Sequence, residues 1–76
     1  MSLDAFVLGL LEDPIDHERL LYVASREVLY NPRRRRAYEV RGAIPVMLDT
    51  EARDVPAEEH EALMAAPDGV WTGEDA

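Results

Sequence analysis

The fold is decided by residues 20–30, which read LLYVASREVLY. Two runs rich in leucine, valine and tyrosine flank a short polar step at Ser25 and Arg26, which is typical of two β-strands joined by a tight turn. The sequence therefore predicts a β-hairpin formed by residues 20–24 and 27–30. A chain of 76 residues builds one small core around such a hairpin, because a fold of this length buries only roughly 60% of its unfolded surface.

Periodicity predicts further elements on both sides of the hairpin. Apolar residues in segment 3–12 recur at helical spacing, and Pro14 ends that helix. Residues 37–40 read as a third strand, and residues 44–48 as an edge strand or extended chain, because Pro45 cannot donate to a ladder. The predicted fold class is α+β, with one N-terminal helix packed on a three- to four-stranded, mostly antiparallel sheet.

The composition changes towards the C-terminal part of the chain. We predict one domain in residues 1–55, followed by an acidic extension in residues 56–76 that is partly helical or disordered. Pro56 and the glutamates after it favour a helix in the first part of this extension. Residues 70–76 contain Trp71 as their one large apolar residue, so we expect this tail to be mobile unless that ring docks.

Charge is unevenly distributed along the sequence. Sixteen acidic and eight basic residues give a formal net charge of −8. The molecule as a whole therefore repels nucleic acids and anionic lipids. Four arginines are nevertheless consecutive: Arg33, Arg34, Arg35 and Arg36. No aromatic residues interleave with this run and the net charge opposes RNA, so contact with an acidic protein surface or another anion is the favoured interpretation.

Residues suited to catalysis are scarce. The chain has no cysteine, no lysine and no glycine-rich phosphate loop, and both His17 and His60 are flanked by glutamates, as on a solvated surface. Asp13 and Asp16 on one turn offer too few oxygens for calcium. We expect no enzyme activity, no metal and no cofactor. Segment 5–11 is too short to cross a bilayer, and the expected location is the cytoplasm.

A family resemblance is carried by Leu11, Pro14, Leu20, Tyr22 and Leu29 together with residues 38–48, YEVRGAIPVML. Over roughly residues 7–53, the chain resembles the short bacterial YcaR-like proteins of the Trm-one-twelve-like family, without gaps. The resemblance implies a small zinc-ribbon-like fold and a function through association. Relatives in eukaryotes and archaea bind and stabilise SAM-dependent methyltransferases that act on tRNA, rRNA or translation release factors.

The resemblance also implies a structural zinc site whose ligands this sequence lacks. Where the family has cysteines, this chain has the four residues that we name the knuckle residues: Asp13, Asp16, Asn31 and Arg34. An arginine among the ligands would repel the ion, so we expect the scaffold without zinc. One hypothesis is that Arg34 pairs with Asp13 or Asp16 while Asn31 hydrogen-bonds nearby. These contacts would hold together the two knuckles, the first at Asp13 and Asp16 and the second at Asn31 and Arg34. The alternative is that all four became solvated loop residues.

By resemblance, the partner is bound through segment 44–48, which consists of Ile44, Pro45, Val46, Met47 and Leu48. Adding this strand to a methyltransferase sheet would satisfy an open edge and cover its apolar side chains. The alternative is that the segment packs against the N-terminal helix as core, and both can hold on opposite faces. The expected function is a non-catalytic methyltransferase-binding subunit; the alternative is a structural or regulatory homodimer joined through this edge.

Overall fold

An antiparallel sheet forms the centre of the protein, seen in a computed structural model that describes residues 5–42 and 44–73. Its strands are β1 (Leu21–Val23), β2 (Val28–Asn31), β3 (Arg36–Arg41), β4 (Ile44–Pro45), β5 (Arg53–Asp54) and β6 (Gly69–Trp71). The helices are α1 (Ala5–Leu10) and α2 (Ala57–Met64), with 3-10 turns at Ala24–Arg26 and Asp49–Glu51. The strand order is β4-β3-β2-β1-β6, and β5 also pairs with β3. The predicted α+β fold class is confirmed.

The predicted hairpin is present as β1 and β2. Leu21 lies opposite Tyr30 and Val23 lies opposite Val28, so apolar side chains face each other across the pair. The turn closes at Glu27, whose φ of +53° is in the left-handed region and whose N–H donates to the Ala24 carbonyl at 3.1 Å. This pairing places the two strands at the middle of the sheet, where β3 and β6 extend it on either side.

The sheet buries an apolar layer on each face, because successive strand residues point to opposite sides. On one face, Leu8 and Leu11 pack over Leu20, Tyr22, Leu29, Tyr38 and Val40. On the other face, Val55 and Leu63 pack over Leu21, Val23, Val28, Tyr30 and Ala37. The N-terminal helix therefore covers one layer, as predicted, and α2 covers the other.

The N-terminal helix is shorter than predicted. Within the described residues it runs over Ala5–Leu10, and residues 3 and 4 of the predicted helix lie outside them. It ends at Leu10, before Pro14, the predicted stop, and Asp13 in the turn that follows is completely buried. The helical spacing of apolar residues in the sequence does not predict that Asp13 is buried.

The sheet has more strands than the three or four predicted. β5 pairs with β3 through Arg36 and Asp54, and β6 pairs with β1 through Tyr22 and Val70. The added strands are two and three residues long, too short for a two-residue period to emerge. Segment 44–48 is a regular strand only at Ile44–Pro45, after which the Val46 N–H still donates to the Glu39 carbonyl at 2.9 Å.

The described residues beyond Pro56 join the same sheet and core. The predicted helix is present as α2, and its Leu63 is fully buried. In the described part of the tail, the Arg19 guanidinium lies 5.7 Å from the centroid of the Trp71 ring. The proposed division of the chain at residue 55 stays a prediction.

Candidate functional site

A buried carboxylate lies at the centre of the knuckle residues. The Asp13 side chain has no solvent exposure. Its Oδ1 accepts the N–H groups of Ile15 at 2.7 Å and Asp16 at 3.2 Å, which folds the turn around it. Its Oδ2 accepts the Asn31 amide at 2.7 Å and the Tyr38 hydroxyl at 3.0 Å. One carboxylate therefore joins the turn after α1 to β2 and β3.

Asp13 remains an anion despite its burial. Burial by itself raises the pKa of this carboxyl, but hydrogen bonds from Asn31, Ile15, Asp16 and Tyr38 favour the charged form. The pKa of Asp13 therefore lies below the ordinary aspartate value. A buried charge of this kind requires a cationic partner as well as donors.

Arg34 supplies that cation and bridges two carboxylates. Its Nη1 lies 3.3 Å from Asp13 Oδ1, and its Nη2 donates to Asp49 Oδ1 at 3.0 Å. Nη1 also lies 3.3 Å from the Tyr38 hydroxyl oxygen. The hydrogen bond to Asp49 is the main reason that the Arg34 pKa lies above its ordinary value. The predicted pairing of Arg34 with Asp13 is thus present.

Asn31 connects the remaining knuckle residue to this centre. Its buried side-chain amide donates to Asp16 Oδ2 at 3.1 Å as well as to Asp13. Its Oδ1 accepts the backbone N–H groups of Arg33 at 2.9 Å and Arg34 at 3.2 Å, which orders the arginine loop. The four knuckle residues therefore meet in one network. The alternative of four solvated loop residues is wrong for Asp13 and Asn31, which are both fully buried.

Most of the arginine run is neutralised within the chain. Arg33 Nε lies 3.0 Å from Asp16 Oδ2, and this hydrogen bond holds the Asp16 pKa well below its ordinary range. Arg36 pairs with Asp54 at 3.0 Å. Among the described residues, Arg35 is exposed and holds no ion pair. Arg33 and Arg36, predicted as contacts for an anion or an acidic partner, therefore have intramolecular acidic partners.

Segment 44–48 presents different residues to the core and to solvent. Met47 packs into the same apolar layer as Leu8 and Leu11, whereas Ile44 and Leu48 are 67% and 60% exposed. The core contact inferred from the sequence is therefore present through Met47. The two residues at the ends of the segment leave an apolar surface exposed, and partner binding there stays a prediction.

The backbone of segment 44–48 has an open edge at its regular strand, Ile44–Pro45. Val46 directs its N–H inward to Glu39, so strand alternation directs the Pro45 carbonyl outward. Since proline has no N–H, the outer edge offers an acceptor and no donor at Pro45. A strand added there would find the Pro45 carbonyl as its acceptor.

Tyr38 and Asp49 belong to the network but were not predicted as site residues. The signal for Tyr38 is general: a tyrosine on a buried strand needs a partner for its hydroxyl. Asp49 lies 15 positions from Arg34, and no local pattern connects them. Their contacts depend on the fold that brings β3 and the Asp49–Glu51 turn together.

The two histidines differ in their surroundings. His17 is exposed, as predicted, and its Nδ1 lies 2.8 Å from a Glu12 carboxylate oxygen. His60, also predicted on a solvated surface, is half-buried because α2 packs it against the fully buried Tyr30, whose hydroxyl hydrogen-bonds its Nδ1. Within residues 5–42 and 44–73, no group of three or more histidine, cysteine or acidic side chains could hold a metal ion.

The Tyr38 hydroxyl makes stability sensitive to alkali. Burial, followed by the hydrogen bond to Asp13, raises the Tyr38 pKa to about 12. Since an unfolded tyrosine titrates near pH 10, the folded state retains a proton that the unfolded state loses, and stability falls between about pH 10 and 12 by roughly 2–3 kcal/mol. The Tyr38→Phe variant should lose this part of the alkaline slope.

Urea unfolding followed by circular dichroism from pH 8 to 12 measures that slope. Tyr30→Phe serves as a comparison, because burial also raises the Tyr30 pKa while its hydroxyl bonds His60, and it shows how much slope arises without a bond to Asp13. An unchanged slope in the Tyr38→Phe variant would contradict the assignment.

The fold and the network define a small α+β sheet domain with an open edge strand and a polar cluster around a buried carboxylate. No family model matches the chain. A UPF0434 protein of Brucella ovis is 43% identical over 54 residues, covering 71% of this chain and 84% of the relative. A UPF0434 protein of Teredinibacter turnerae is 39% identical over 59 residues, covering 78% and 92%. The chain belongs to the UPF0434 family of proteins.

A solved structure supports the same fold. It is the solution NMR structure of an uncharacterised BCR protein, a structural genomics target, with 39% sequence identity and a TM-score of 0.62. The match covers 74% of this chain and 92% of that protein. In the described residues, no helix has the length and apolar character needed to cross a membrane.

Proposed function

We propose that this protein is a non-catalytic binding subunit that stabilises or activates a SAM-dependent methyltransferase through segment 44–48. The observation that carries the proposal is a short edge strand, Ile44–Pro45, in a segment whose two end residues, Ile44 and Leu48, are exposed. The outward Pro45 carbonyl adds a hydrogen-bond acceptor to the same edge. Strand addition uses these two features together: backbone bonds give affinity, and side chains at the edge give specificity.

The choice of a methyltransferase as the partner rests on the resemblance to the Trm-one-twelve-like family. Membership of the UPF0434 family is compatible with it, because the YcaR-like proteins of that resemblance are also small bacterial proteins. In this interpretation the knuckle residues replace a zinc site by a network of carboxylates, an amide and arginine. The network keeps the two knuckles together without a metal, which leaves segment 44–48 available for the partner.

The charge distribution favours a different protein over a second copy of this chain. A formal net charge of −8 makes two copies repel each other, whereas a basic or neutral surface on another protein avoids this repulsion. Most of the arginine run is paired internally, so direct RNA contact would depend mainly on the partner. A homodimer through the same edge is the competing outcome of the test below.

Affinity purification of the tagged protein from its native host, followed by mass spectrometry, tests the proposal. We expect a methyltransferase to be recovered with the unmodified protein. Its recovery should fall by about tenfold or more with Ile44→Glu or Leu48→Glu, because each places a charge at an apolar contact. Met47→Glu is unsuitable, since Met47 is partly buried and packs against the core. Val70→Glu is the matched control, because Val70 is 51% exposed on the opposite edge of the sheet.

Three results would contradict the proposal. They are the absence of any methyltransferase, equal recovery by all variants, or equal loss with Val70→Glu. Size-exclusion chromatography over a range of concentrations separates the competing function. A stable dimer that Ile44→Glu converts to a monomer would assign the edge to self-association instead.

A further inference from the structure

We infer that Arg34 and Asp49 are positioning residues that fix the C-terminal end of segment 44–48, so that the network around Asp13 sets the geometry of the proposed interface. The significance for binding rests on the proposed function. The positioning itself is a property of the isolated protein.

Segment 44–48 is held differently at its two ends. At its start, Ile44 and Pro45 pair with β3, and Val46 adds one further backbone bond to Glu39. Beyond Val46 the described backbone has no regular strand structure, and Leu48 is 60% exposed. Met47 docks its side chain, but packing does not fix the residue after it. The end of the segment therefore needs another support.

Asp49 provides that support immediately after Leu48. Its carboxylate accepts Arg34 Nη2 at 3.0 Å, and its backbone carbonyl accepts Arg36 Nη2 at 3.1 Å. The 3-10 turn that begins at Asp49 is then closed by the Glu51 N–H, which donates to the Leu48 carbonyl at 2.9 Å. Arg34 thus holds the side chain of Asp49, and Arg36 holds its backbone.

The anchor is rigid because its other end is buried. Arg34 reaches Asp49 with Nη2 while Nη1 contacts fully buried Asp13. One planar guanidinium therefore transmits the position of the knuckles to the end of the segment, a role for which a flexible lysine would be a poor substitute. The contacts carry no information about the partner, but they determine how the exposed Leu48 is presented.

Amide hydrogen exchange of the isolated protein, read by NMR, tests this inference with Asp49→Ala. The substitution removes a side chain that is 38% exposed, so the fold should be retained. We expect exchange of the Glu51 and Val46 amides to accelerate about tenfold or more, corresponding to local opening. The Val40 amide, which donates to the Glu27 carbonyl at 2.9 Å, should change by less than about twofold.

The matched control is Asp54→Ala. Asp54 also pairs with an arginine of the run, Arg36, but its side chain is 88% exposed and lies outside the segment. It should leave the Glu51 and Val46 amides unchanged. Unchanged exchange in Asp49→Ala, or equal acceleration at Val40, would overturn the inference. Because no partner is present, failure to recover a methyltransferase would leave this result intact and would affect the proposed function alone.

Discussion

Replacing Asp13 by alanine should lower the free energy of unfolding by about 3–5 kcal/mol, a large fraction of the stability of a domain this small. The substitution leaves Arg34, the Asn31 amide and the Tyr38 hydroxyl around a cavity without their common acceptor. It also removes the oxygen that accepts the Ile15 N–H and so shapes the turn. Urea unfolding followed by circular dichroism at pH 7 gives the difference directly.

Asp54→Ala is the matched control for this experiment. It removes a carboxylate that also pairs with an arginine, but from a side chain that is 88% exposed, so the change should be within about 1 kcal/mol. Equal losses for Asp13→Ala and Asp54→Ala would show that the buried network contributes no more than a surface pair.

The pH dependence gives a second check on Asp13. Since its folded-state pKa is depressed, its charged form contributes stability above the unfolded aspartate pKa, and this contribution is lost as the pH falls through the folded value. The difference between the wild type and Asp13→Ala should therefore shrink below about pH 4.

Leu63→Ala should destabilise the protein by about 2–5 kcal/mol, because it opens a cavity beneath α2. Leu63 is fully buried among side chains of the β1–β2 hairpin and Val55. The neighbouring Met64→Ala is the matched control, since Met64 is 44% exposed and its truncation should cost about 1 kcal/mol or less. The measurement is urea unfolding followed in parallel by circular dichroism and by Trp71 fluorescence.

This measurement also tests the division of the chain at residue 55. If α2 and β6 belong to one cooperative unit with the hairpin, both signals should shift together in Leu63→Ala. Two separated transitions, one followed by Trp71 fluorescence and the other by circular dichroism, would establish residues 56–76 as an extension that folds by itself.

Local sequence signals account for the middle of the fold. The β-branched and aromatic runs on both sides of Ser25 predict the hairpin, and Pro56 with the acids after it predicts α2. β5 and β6 could not be predicted in this way. Each has only two or three residues, and each becomes a strand because a partner already in the sheet offers its edge.

The candidate site was predictable only where its residues follow from spacing and charge in the sequence. The spacing of the family motif indicated Asp13, Asp16, Asn31 and Arg34, and opposite charge predicted that Arg34 pairs with an aspartate. The complete burial of Asp13 could not be inferred, since aspartate is usually exposed. The acidic partners of the arginine run lie 13 or more positions away, so a solvated run and an internally paired run look identical in sequence.

The contact between Leu20 and Thr72 has a consequence for the order of folding. The Leu20 N–H donates to Thr72 Oγ1 at 2.9 Å and the Thr72 N–H returns a bond to the Leu20 carbonyl at 2.8 Å, across 52 positions of chain. Closing a loop of that length costs roughly 3–4 kcal/mol of entropy before any contact compensates for it. The hairpins can form from neighbouring residues, whereas β6 must arrive from far along the chain. We therefore expect emission from Trp71, the single tryptophan, to report the last stage of sheet assembly.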